Sequence, residues 1–156
     1  MNSITKNDII NAQKKWAEGL IELGSYKGNR EACLKAAKDF VDRMYAYSEG
    51  VVLFKPTRAR KHQFRLNKEG AVSYFVKGIF PEDKGFALLD WTEIRFENAG
   101  YIIDNDRAFA MGNYYFTDSG ENEIKVEFTF GYIKMQNGEI KINIHHSSRP
   151  DAHPKI

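Results

Sequence analysis

A chain of 156 residues is one domain's worth of sequence, and 42% apolar, 13% aromatic and 28% charged residues describe a globular protein rather than a disordered one. The single cysteine, Cys33, rules out an intrachain disulfide and cysteine-based zinc or redox motifs, which leaves His62, His145, His146 and His153 as the soft-metal ligands. The net charge of +2 divides into +7 over residues 1–78 and −5 over 79–156.

The chain reads as helices first. Thr5 and Asp8 have capping-box spacing, and Ile4 and Ile9 sit where a hydrophobic staple would. Ile9, Ile10, Trp16, Ala17, Leu20 and Ile21 follow at helical spacing, with Gly24 and Gly28 around the stop. Asn29 caps a second helix whose stripe is Ala32, Ala36, Ala37, Phe40, Val41, Met44 and Tyr45, with Gly50 as its expected end. Residues 51–54 form a short apolar strand before Pro56. A basic run follows (Lys55, Arg58, Arg60, Lys61, Arg65, Lys68) that contains one aromatic, Phe64, and reads as a solvated loop rather than a nucleic-acid surface. Asn67 caps a short third helix over 68–77, with Ala71, Tyr74 and Phe75 on one face and Gly78 at its end.

From Phe86 the pattern changes to period two. A strand is predicted over 91–97, with a hairpin turn at Asn98-Ala99-Gly100. Further strands are predicted over 107–117 and 123–136, and Ile124, Val126, Phe128, Phe130 and Tyr132 share one face of the latter. Asn137-Gly138 is a type I′ hairpin signal. The last strand covers 139–148. Strict alternation puts Ile140, Ile142, Ile144, His146 and Ser148 on one face and Lys141, Asn143, His145 and Ser147 on the other. Helices followed by a four-strand meander make an α+β domain spanning 1–156, a strongly curved antiparallel sheet wrapped around the N-terminal helices as a cone. Apolar residues on both faces of the 107–117 strand, such as Phe109 and Met111 against Tyr114 and Phe116, favour a homodimer. No apolar run approaches the ~18 residues of a membrane span, and the start lacks a leader pattern. The expectation is therefore a cytoplasmic protein, or an organellar one if a transit peptide has been removed.

The chemistry-bearing residues are few. Adjacent strand residues face opposite ways, so His145 and His146 do not reach one ion, and no metal site is expected. His145 reads as an edge residue bonded to a neighbouring strand. There is no GxSxG elbow, phosphate loop or HExxH, and Glu82/Asp83 and Asp104/Asp106 read as solvated turn acids. Tyr74 is either a core tyrosine with a satisfied hydroxyl or a pocket donor.

Four segments carry a resemblance: Val51-Val52-Leu53-Phe54-Lys55-Pro56-Thr57, Glu69-Gly70-Ala71-Val72-Ser73-Tyr74-Phe75-Val76, Phe80-Pro81-Glu82-Asp83-Lys84-Gly85-Phe86-Ala87 and His145-His146-Ser147-Ser148-Arg149-Pro150. In that order they resemble the iota class of carbonic anhydrases, in the short bacterial and algal branch described as working without a metal. That class is related to the association domain of calcium/calmodulin-dependent kinase II and to the nuclear-transport-factor-like, ketosteroid-isomerase-like cone folds. The resemblance covers about residues 5–150. It implies reversible hydration of CO2 to bicarbonate with no cofactor and no metal, no nucleic-acid partner and no membrane. It places pocket hydroxyls on Thr57, Tyr74 and one serine of the His-His-Ser-Ser segment. Strand parity selects Ser148 and makes His146 the pocket histidine, so Thr57, Tyr74, His146 and Ser148 are the expected catalytic group, with Phe75, Trp91 and Phe128 as apolar walls. Two other functions compete: a small-ligand-binding or oligomerisation module of the same fold, and a ketosteroid-type isomerase with Asp90 as its base.

Overall fold

The computed structural model describes residues 3–151. Their elements are α1 (Lys6–Gly24), α2 (Arg30–Met44), β1 (Leu53–Lys55), α3 (Lys68–Val76), a 3-10 turn at Phe86–Leu88, β2 (Trp91–Asp104), β3 (Arg107–Asp118), β4 (Glu123–Lys134) and β5 (Ile140–Ser148). The strands form one sheet in the order β1-β5-β4-β3-β2, antiparallel except that β1 lies parallel to β5. The expected α+β architecture holds, with β1 added to the meander. Because β1 takes the outer position, β5 is an inner strand, and His145 is not an edge residue as expected.

Curvature is visible at a single side chain. The indole of Trp16, on α1, lies 5.6–6.2 Å from the rings of Phe96 on β2, Tyr114 and Phe116 on β3, Phe130 on β4 and His145 on β5. Four strands meet one ring only if the sheet wraps around the helix. Apolar burial of this kind is the main stabilising term, about 25 cal/mol per Å² removed from water.

The helix starts follow their caps. Thr5 and Asp8 form the complete capping box, and the Asn29 and Asn67 side chains accept from the third residue of α2 and α3. The end of α2 departs from expectation: it stops at Met44, not near Gly50. Tyr45 turns extended (φ −116°, ψ 148°) and bridges in parallel to Ile142, while the Ala46 N–H donates to the Ile142 carbonyl at 2.9 Å. Sheet pairing and burial of the Tyr45 ring override the local helical pattern.

The described sheet has three register shifts, one at Trp91/Glu93 and two more, each with a glycine opposite, that set which side chains face inward. Asn98-Ala99-Gly100 is not a turn. β2 runs through it with a register shift opposite Gly112, where a Cβ would meet the Ala99 nitrogen and Asn98 Cα at 2.9 Å, and the chain reverses later, at Asn105-Asp106. On β5 the partners run Ile142 with Tyr132 and then Ile144 with Gly131, so Asn143 is an extra residue. A Cβ on Gly131 would come within 2.9 Å of Asn143 Oδ1 and Ile144 Cβ. This bulge shifts the alternation by one. Ile142, His145 and Ser147 are buried, while His146 is exposed and Ser148 half-exposed. The expected parity of the last strand is thus reversed beyond Asn143.

The basic run is not uniformly solvated. Arg65 is 1% exposed and pairs with Asp83 through two contacts, at 2.7 and 2.8 Å, while also donating to the His62 and Gly70 carbonyls at 2.8 Å. The Ser73 hydroxyl donates to Asp83 Oδ2 at 2.5 Å. Asp83, expected in solvent, is therefore the buried counter-ion that ties the 58–65 loop to α3 and to the 80–83 turn. Glu82 is half-buried, and its carboxylate accepts the backbone N–H groups of Arg60, Lys61 and His62 at 2.7–3.2 Å. Those bonds, led by the one from His62, hold its pKa down at about 2. The outer sheet surface keeps Ile102, Phe109 and Met111 exposed. Among the described residues no helix is long and apolar enough to cross a membrane.

Candidate active site

One small cavity is lined by Trp16, Phe54, Pro56, Thr57, Tyr74, Phe75, Phe86, Tyr114, His145 and Ser147. Its volume is about 10 Å3, room for one water molecule. All these residues are buried except Thr57, which is half-buried and marks the mouth. A much larger cleft of about 480 Å3, between α1, the end of α2 and the β4–β5 turn, carries Asp8, Lys15, Glu18 and Arg43 but no comparable convergence of buried polar groups. Size is the poorer guide here, because Tyr74, Tyr114, His145 and Ser147, all buried, line the small cavity together.

The cavity's hydrogen bonds form a connected chain. Trp16 Nε1–H donates to the Tyr45 hydroxyl at 3.0 Å, and that hydroxyl meets His145 Nδ1 at 2.8 Å. With the indole proton already directed at its oxygen, the Tyr45 hydroxyl gives its own proton to Nδ1. The neutral imidazole then carries its proton on Nε2, which lies 3.0 Å from both the Tyr114 hydroxyl and Ser147 Oγ. Tyr114 and Ser147 are bonded to each other. The Tyr74 hydroxyl accepts the Arg58 N–H at 3.2 Å, and the Thr57 hydroxyl interacts with both Tyr74 and Tyr114.

This environment favours neutral groups. Burial pushes the Tyr74 and Tyr114 hydroxyls far above the ordinary tyrosine range, so they remain donors. The imidazole of His145 is stacked between Phe54 (4.7 Å) and Phe130 (4.0 Å), and burial holds its pKa well below 6.5. Unfolding returns His145 to water, where it takes a proton near pH ~6.5. The unfolded chain then binds more protons than the folded one, so stability falls as pH drops below that value, by up to about 1.4 kcal/mol per pH unit. Urea unfolding at pH 7.5 and 5.5 measures this. A His145→Phe variant is expected to lose that part of the slope, and an unchanged slope contradicts a neutral buried imidazole.

Of the expected site residues, Thr57, Tyr74 and Phe75 do line the cavity. His146 and Ser148 do not, because the Asn143 bulge turns both to the outer face. There Ser148 donates to Glu127 at 3.1 Å, and both line a shallow outer groove with Met111 and Thr129. Trp91 and Phe128 are buried behind the lining, against Phe86 (5.3 Å) and Tyr114 (5.1 Å). The sequence reading missed Tyr45, Tyr114, His145 and Ser147. Tyr114 shares its inward parity with Phe116, and Gly131 inside an aromatic strand is the signal that a bulge lies opposite. Asp90 is exposed and pairs with Lys27 at 3.2 Å, so the base the isomerase alternative needs does not line the cavity. His153 lies outside the described residues. Among those described, no group of three His, Cys, Asp or Glu side chains is placed to hold a metal ion.

A cone-like α+β domain with an apolar cavity closed by neutral hydroxyls is one setting for chemistry on a small uncharged gas, and comparison makes the class specific. Residues 7–149 match the metal-independent carbonic anhydrase family. A metal-independent carbonic anhydrase from Nostoc sp. (strain PCC 7120 / SAG 25.82 / UTEX 2576) is 39% identical over 153 residues, covering 95% of this chain and 75% of that protein. The crystal structure of the iota-carbonic anhydrase from a cyanobacterium, complexed with bicarbonate, superposes with a TM-score of 0.92 at 36% identity over 97% of this chain and 95% of that one. A putative calcium/calmodulin-dependent protein kinase II association domain from Xanthomonas campestris shares the fold alone, with a TM-score of 0.59 and 18% identity over 100% and 97% of the two chains. The chain belongs to the metal-independent carbonic anhydrase family, and its reaction is the reversible hydration of CO2 to bicarbonate.

Proposed function

We propose that CO2 hydration takes place in the cavity between Thr57, Tyr74, Tyr114 and Ser147. The observation that carries this reading is the convergence of four hydroxyls, braced by His145, on one narrow space. The cavity as it stands holds one water molecule, so CO2 enters as the Phe86 side chain shifts; the aromatic walls then favour it, because it has no charge to solvate. A water molecule held by the hydroxyls attacks the CO2 carbon. As the new C–O bond forms, one C=O π pair moves onto oxygen, and the hydroxyl donors stabilise that developing charge. The attacking water loses a proton in the same step. His145 is a poor acceptor for it, since its Nδ1 already receives the Tyr45 proton and burial disfavours the cation. The proton therefore leaves past Thr57 to solvent or buffer. His145 acts as a positioning residue, fixing the direction in which the Tyr114 and Ser147 hydroxyls donate.

The test is a CO2 hydration assay on chelator-treated protein with metal content measured in parallel, run on wild type and Tyr74→Phe. Wild type is expected to stay active at sub-stoichiometric metal, and loss of the Tyr74 hydroxyl to lower kcat/KM by about 10²-fold. Activity restored only by added zinc or manganese, or a fully active Tyr74→Phe, overturns the reading. The exposed Ile102, Phe109 and Met111 on the outer face also support a homodimer through that surface, and a solution mass of one chain contradicts it.

A further inference from the structure

The cavity walls are neutral, yet the reaction's product is an anion. A cation is needed nearby, and among the described residues two around Thr57 have no carboxylate partner: Lys55, whose ammonium is already taken up by the Ser147 and Thr57 carbonyls at 3.0 and 3.5 Å, and Arg58, whose guanidinium is not so engaged. Arg58 follows Thr57 directly and is exposed. Its backbone N–H is bonded to the Tyr74 hydroxyl, and its guanidinium carbon lies 5.6 Å over the ring of Phe86. Phe86 lines the cavity and stacks on Tyr74 at 5.5 Å. Among the described residues no acid pairs with Arg58. The two acids of the facing turn are already engaged, Asp83 by Arg65 and Glu82 by three backbone N–H groups. Glu82 also fixes the loop just beyond Arg58, which limits how far the guanidinium can stray from the mouth. Its positive charge reaches the buried hydroxyl: after burial and the backbone bond, Arg58 is a further influence on Tyr74, opposing the upward shift.

We infer that the Arg58 guanidinium is the bicarbonate-binding cation of this enzyme, holding the anion at the Thr57 mouth and stabilising the negative charge that develops as it forms. This rests on the cavity being the site of turnover. The kinetic signature follows from charge. CO2 is neutral and gains nothing from Arg58, whereas bicarbonate and the transition state that resembles it both do. Removing the charge therefore raises KM for bicarbonate in dehydration and leaves its kcat unchanged. In hydration it lowers kcat by the same factor and leaves KM for CO2 unchanged, which keeps the ratio of the two kcat/KM values at the equilibrium constant, as it must be.

The experiment measures both directions for wild type, Arg58→Gln, Arg58→Lys and Tyr74→Phe at low ionic strength, where screening is weakest. Arg58→Gln is expected to raise the bicarbonate KM about fivefold to tenfold, as for a charge-assisted hydrogen bond at a partly exposed site, and Arg58→Lys to recover most of it. Loss of packing on Phe86 alone would instead impair Gln and Lys variants equally or move the KM for CO2, and either result overturns the inference. So does a bicarbonate KM in Arg58→Gln within about twofold of wild type while Tyr74→Phe is impaired. If Tyr74→Phe keeps full activity, the cavity reading itself has failed and takes this inference with it.

Discussion

A Ser147→Ala variant is expected to lose about 10²- to 10³-fold in kcat/KM for CO2, the usual cost of deleting one donor aimed at a developing oxyanion. Ser148→Ala is expected to stay within about twofold of wild type, as for a surface change away from the chemistry. The two serines are neighbours in sequence and chemically identical, so the contrast isolates which way each points. Ser147 lies 1% exposed against His145 Nε2 and Tyr114, whereas Ser148 reaches Glu127 on the opposite face. Removing the Ser147 hydroxyl leaves His145 and Tyr114 still bonded to each other at 3.0 Å. No buried group is orphaned, and the fold should survive for the assay. Stopped-flow hydration rates on both variants, with circular dichroism as the folding control, settle the point. An inactive Ser148→Ala beside an active Ser147→Ala would place the chemistry on the outer face.

The largest stability effect is expected at Asp83. Asp83→Ala leaves the Arg65 guanidinium buried without its counter-ion and removes the acceptor of Ser73. The expected cost is about 3–5 kcal/mol, or a fall in Tm of about 6–20 °C for a domain of this size. The double variant Arg65→Met/Asp83→Leu is expected to be more stable than either single change, because it deletes the stranded charge along with its partner. Thermal unfolding of the three variants reads this directly. Single-variant costs under about 1 kcal/mol would mean that the pair is solvated and does not brace the loop carrying Thr57.

Much of the fold can be read from local signals, because caps and turns are local physics. The Thr5/Asp8 box, the Asn29 and Asn67 caps and the inward face of β4 all appear where residue type alone puts them. The chain does reverse near Asn137-Gly138, but only Gly138 takes a positive φ (91°) and the Gly138 N–H donates to the Met135 carbonyl, so the turn is not the expected type I′. The four family motifs likewise direct attention to Thr57 and Tyr74. What local signals miss is anything decided by a partner far along the chain. Arg65 looks like one more solvated cation because its counter-ion lies eighteen residues later. Tyr45 looks helical because Ile142, which draws it into the sheet, is distant in sequence. The most consequential miss is the phase of β5. A motif match locates the His-His-Ser-Ser segment but not which alternate residues face inward, and one extra residue at Asn143 exchanges His146 and Ser148 for His145 and Ser147. Gly131, and Gly112 opposite the other bulge, are the sequence marks of those shifts, since a Cβ at either would collide with the bulged strand.

The central claim is that substrate is held by the inward hydroxyls and not by the outer face. A crystal structure of the wild-type protein soaked in bicarbonate tests it most directly. The anion is expected within hydrogen-bond distance of Thr57 Oγ1, the Tyr74 hydroxyl and Ser147 Oγ, with the Phe86 side chain displaced to admit it and the Arg58 guanidinium turned towards it. Bicarbonate bound instead beside His146 and Ser148, with the Thr57 cavity unchanged, would contradict the account.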